Sequence, residues 1–78
     1  MSLNDLSTPV GQAWGQLASW IKRHPDIGNL NVRVNTHKAC REHSITSEEL
    51  LTAIRDSPEH AKSAIGRSLV KAFDQSPV

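Results

Sequence analysis

The sequence predicts an all-α fold in a single small domain, and three observations carry that expectation. Apolar residues recur at helical spacing in two long stretches, helix starts are marked by Ser or Thr before proline or in a capping box, and only one short segment alternates as a strand would. Length agrees with this, because 78 residues suffice for one core and not for two.

The first helix is expected over about 9–23. Thr8 stands where an N-cap belongs and Pro9 fits the first helical position, where its missing amide would be unpaired anyway. Val10, Ala13, Trp14, Leu17, Ala18 and Ile21 then form one apolar stripe, with Trp20 on its flank. Lys22, Arg23 and His24 crowd the last turn, where cations complement exposed carbonyls, and Pro25 forbids continuation. The basic triplet therefore reads first as helix capping.

After a breaker-rich turn at 25–29, Leu30, Val32 and Val34 alternate with Asn29, Asn31, Arg33 and Asn35. A period of two fits an extended segment, so 29–35 is expected as an extended connector, or as a strand paired across a dimer axis with its own copy. A short helix over about 36–43 should follow, with Ala39 and Cys40 inward.

Thr46-Ser47-Glu48-Glu49 is a capping box, and Ile45 and Leu50 stand at the positions of a hydrophobic staple. It opens a helix over about 47–55 that buries Leu50, Leu51 and Ile54. Ser57-Pro58-Glu59 opens the last, over about 58–74, with Ala61, Ala64, Ile65, Leu69, Ala72 and Phe73 as its apolar stripe. The expected core is Trp14, Leu17, Ile21, Leu50, Ile54, Ile65, Leu69 and Phe73. The single domain spans 1–78, with 1–7 and 75–78 expected to be loose.

Composition narrows the function classes. Nine Lys and Arg against eight Asp and Glu give a formal charge of +1, so no strong global field draws in a polyanion, and nucleic-acid contact would need local clustering. One cysteine, Cys40, cannot form an internal disulfide, and a chain this small without staples is expected in a reducing, cytoplasmic setting. No apolar run is long enough to span a membrane, and the first residues lack the pattern of an export signal. With three aromatic residues, the core is thin, which favours a partner or self-association covering further apolar surface.

His37, Cys40 and His43 carry zinc-type donors, yet on a helix His43 is rotated away from His37, and no familiar zinc spacing results. A Cys–His pair at Cys40 would need a pocket and an oxyanion-stabilising loop, neither of which is marked. Gly11 and Gly15 lie inside the first helix and Gly28 is isolated, so there is no phosphate loop. No cofactor, metal, membrane or small-molecule substrate is expected, and no enzymatic activity.

Two binding classes remain. Trp20 offers a large amphipathic ring, and Val70, with Leu3 and Leu6, adds apolar surface on the far side of the expected helices. The leading expectation is therefore a small non-enzymatic regulatory or adaptor protein that binds another protein, or itself as a homodimer, through Trp20 and Val70. The alternative is a helix-turn-helix-like DNA-binding regulator that uses the C-terminal helix, with His60, Lys62, Arg67 and Lys71 facing the duplex. A further variant pairs two copies of 29–35 as a ribbon followed by helices. That order resembles ribbon-helix-helix repressors over 29–56, although the stretch before Ser44 is short for that family's first helix.

Overall fold

A computed structural model describes Leu3 and residues 5–74; the expected loose ends at 1, 2, 4 and 75–78 lie outside the described residues. Among the described residues five helices follow one another: α1 (Pro9–Arg23), α2 (Asn29–Glu42), α3 (Ser47–Arg55), α4 (Pro58–Lys62) and α5 (Ala64–Asp74). The all-helical expectation holds, and among the described residues there is no strand. α2 packs against α5, α1 and α3.

α1 begins as its sequence dictates. Thr8 is extended and its hydroxyl accepts from the Gly11 amide at 3.1 Å, which satisfies one of the orphan donors of the first turn. The arm before it is tied in: Thr8 donates its amide and its hydroxyl to the Asp5 carbonyl at 3.2 and 2.9 Å. Ser7 donates to the Asp5 carboxylate and holds it below its ordinary pKa. Leu3, expected to add outward apolar surface, is instead 1% exposed in the core, whereas Leu6 is exposed.

The extended connector is corrected. Residues 29–35 are the first two turns of α2, whose N-cap, Gly28, supplies no side-chain hydrogen bond. The alternation misleads because only Val32 of its three apolar residues points inward. Val32, Thr36, Ala39 and Cys40, at steps of four, three and one, form the buried stripe, while Leu30 and Val34 face solvent. Thr36 is kept satisfied in the core by donating its hydroxyl to the Val32 carbonyl at 2.7 Å. With 29–35 helical, neither the cross-dimer strand nor the ribbon of the repressor-like variant is formed.

α2 ends in a tight reversal. Ser44 sits in the left-handed region at φ 59°, its amide donates to the Arg41 carbonyl at 3.2 Å, and the Ile45 amide donates to the Cys40 carbonyl at 2.9 Å. This is a Schellman closure, and it places Ile45 directly before the next helix start. α3 opens with the expected capping box: the Glu49 amide donates to the Thr46 hydroxyl at 3.1 Å and the Thr46 amide to the Glu49 carboxylate at 3.2 Å. Leu50, Leu51 and Ile54 are buried as expected.

The last helix is also corrected: it is two helices, broken at Ser63, whose backbone is extended at φ −68°, ψ 155°. Ser63 closes α4 and caps α5 at once. Its amide and hydroxyl donate to the His60 carbonyl at 3.1 and 2.6 Å, and its hydroxyl accepts from the Gly66 amide at 3.0 Å. The same arrangement links Asp5, Thr8 and Gly11 at the start of α1. In both places glycine stands at the third position of the new helix because the carbonyl of the preceding turn occupies the space of a side chain.

The break re-aims His60. On one continuous helix it would share an outer flank with Arg67 and Lys71. As the third residue of α4 it is 7% exposed, with its ring edge-to-face with Trp14 at a centroid distance of 5.1 Å and Nδ1 2.7 Å from the Ser57 hydroxyl. The core otherwise follows the expectation at Trp14, Leu17, Ile21, Leu50, Ile54 and Leu69. Ile65 and Phe73 are half-buried against it.

Candidate interaction surface

Trp20 lies half-buried on α1 with its ring tilted over His24 at 5.3 Å, and the His24 Nδ1 is 3.0 Å from the Trp20 carbonyl. It borders a recess of about 230 Å³ between α1 and α2, together with Arg23, Asn35 and Lys38. One edge of this recess is fixed by a relay in which Gln16 donates to the Glu42 carboxylate at 2.9 Å while its amide oxygen meets His43 Nε2 at 2.9 Å.

Val70 is half-buried in a different place. It shares a shallow groove of about 440 Å³ with Arg67 and Lys71, opposite the Arg55–Asp74 ion pair, whose charged atoms are 3.4 Å apart. Trp20 and Val70, expected in one contact, therefore line separate recesses. Of the four residues assigned to the DNA-binding alternative, Lys62, Arg67 and Lys71 are exposed and His60 is not.

The zinc-type residues disperse. His43 turns to Gln16 on α1, whereas His37 Nδ1 lies 3.2 Å from the Ser47 hydroxyl and its ring meets Phe73 edge-to-face at 5.3 Å. Cys40 is 2% exposed, and burial followed by the nearby Glu49 charge pushes its thiol up to about 11. A thiol held neutral and covered is the opposite of an activated nucleophile. No helix among the described residues is long and apolar enough to cross a membrane.

The surface feature that sequence reading missed lies on α2. Leu30 and Val34 are 65% and 56% exposed, one turn apart, and the stripe continues through Lys38 with Arg41 beside it. A single exposed aliphatic residue is ordinary, but two adjacent ones on one helical face form a ridge. The spacing of four residues between Leu30, Val34 and Lys38 was the available signal, masked by the alternation through Val32.

A second feature is a groove of about 450 Å³ beside the start of α1 and along α3. Val10 and Ala53 supply its apolar part, and Glu48 and Thr52 on α3 with Asp56 at its C-cap, spaced by four, line its polar side together with Glu49. Charge is divided accordingly. Residues 22–42 carry Lys22, Arg23, Arg33, Lys38 and Arg41 against Asp26 and Glu42, whereas 46–59 carry Glu48, Glu49, Asp56 and Glu59 against Arg55. Comparison with family models, curated proteins and solved structures finds no match.

Proposed function

We propose that this chain is a small non-enzymatic regulatory or adaptor protein that works by protein–protein contact, and that its contact surface is the outer face of α2. One observation carries the reading: the paired exposure of Leu30 and Val34, with Lys38 and Arg41 continuing the same face. Full burial of an aliphatic side chain contributes roughly 1.5–3 kcal/mol, so docking both supplies an apolar anchor, and the cations select the partner's charge. Trp20, bordering the recess on the neighbouring side of α2, extends the surface; Val70 lies apart from it.

Replacing Leu30 and Val34 together by serine tests this. Both are exposed, so the helical circular dichroism and melting temperature should stay close to those of the parent, while proteins retained by the immobilised parent chain should be lost. Equal retention by the double variant overturns the reading. The DNA-binding alternative keeps Lys62, Arg67 and Lys71 but not His60, and retention on duplex DNA at low salt, abolished by replacing Arg67 and Lys71, is the result that would favour it.

A further inference from the structure

We infer that the partner docking on α2 is a second copy of this chain, bound head to tail, with the α2 ridge of one copy seated in the α1–α3 groove of the next. This rests on the reading of α2 as the contact surface, and it names the occupant.

Complementarity of charge supports it. The ridge presents Leu30 and Val34 and then Lys38 and Arg41. The groove is floored by the buried Val10 and the half-buried Ala53, beside the exposed carboxylates of Glu48 and Glu49 in the first turn of α3 and of Asp56 at its C-cap. The groove, of about 450 Å³, is open to solvent and therefore accessible to a side chain from outside. Glu49 also lines the groove, with one carboxylate oxygen committed to the capping box, so Glu48 and Asp56 are the carboxylates that can be replaced without removing that cap.

The symmetric alternative is disfavoured by the same charges. Packed parallel, two α2 ridges bring Lys38 and Arg41 of both copies together, and packed antiparallel they set these cations against the apolar Leu30 of the other copy; neither arrangement pairs them with a carboxylate of the ridge. Ridge-to-groove pairing sets opposite charges against one another. Because ridge and groove share no residue, a bound copy still offers one of each, so association continues beyond the dimer unless the ring closes.

The test is mass in solution against concentration, by sedimentation or light scattering, on the full chain. The parent should grow past the dimer as concentration rises and dissociate as salt is added. Lys38→Glu with Arg41→Glu, and separately Glu48→Lys with Asp56→Lys, should each weaken association roughly tenfold or more, and mixing the two variants should restore it. If the lysine pair on α3 disturbs folding by circular dichroism, Glu48→Gln with Asp56→Asn reads the same groove. A groove variant that associates as the parent does overturns the inference. A parent that stays monomeric at every concentration also overturns it, while the proposed function then stands or falls on whether Leu30 and Val34 hold a different protein.

Discussion

The backbone carbonyl of His60 occupies the space where a side chain at Gly66 would begin. That approach is what the break between α4 and α5 requires, since Ser63 turns the chain by bonding to this carbonyl while its hydroxyl receives the Gly66 amide. Gly66→Ala should therefore destabilise the fold, although alanine is the better helix former by about 1 kcal/mol. Displacing backbone rather than a flexible side chain sets the net loss at about 1–3 kcal/mol. Denaturant titration measures it, and a gain in stability would show that the chain continues as one helix from 58 to 74.

His60 holds the other side of that break. Its ring fills the space beside Trp14 and its Nδ1 meets the Ser57 hydroxyl. His60→Ala should cost about 1–3 kcal/mol through lost aromatic packing. In a Trp20→Phe background the remaining indole fluorescence should shift to the red as water reaches Trp14. An unchanged spectrum and midpoint would return His60 to the surface.

Ser44 pays a conformational cost at φ 59°, which glycine does not. Ser44→Gly should raise stability by about 0.5–1 kcal/mol, and Ser44→Val should lower it by more, because a β-branched residue tolerates the left-handed region least. Thermal melting of the pair gives opposite shifts if the Schellman closure at the end of α2 is correct.

Cys40 makes stability depend on alkaline pH. Its thiol is raised from the ordinary 9.0 to about 11, first by burial and then by the Glu49 charge. The fold thus favours the neutral form: this contribution is complete below pH 9 and is lost as pH rises through about 11. The melting temperature should fall more steeply over that window for the parent than for Cys40→Ala. At neutral pH a thiol-directed alkylating reagent should modify the native chain slowly and the unfolded chain fast.

Local chemistry explains which parts of the fold were legible in the sequence. The starts of α1 and α3 were readable because Thr8 with Pro9, and Thr46 with Glu49, satisfy orphan amides within a single turn and need no distant partner. The buried stripe of α1 was readable for the same reason, since Trp14, Leu17 and Ile21 repeat at the helical period. The proposed contact surface was only partly legible. Trp20 stood out by residue type, whereas Leu30 and Val34 were hidden inside a pattern that alternates as a strand does.

The amino-acid order by itself determined the helical class, the caps of α1 and α3 and most of the core, all of which follow from interactions between residues a few positions apart. Tertiary packing decided the remainder. Residues 29–35 are helical because Val32, Thr36, Ala39 and Cys40 bury one stripe against α1, α3 and α5, and no strand partner exists among the described residues to reward extension. His60 points inward because Trp14, far away in sequence, supplies the surface it covers. Where neighbours along the chain left two conformations close in free energy, apolar area buried between distant helices chose one of them.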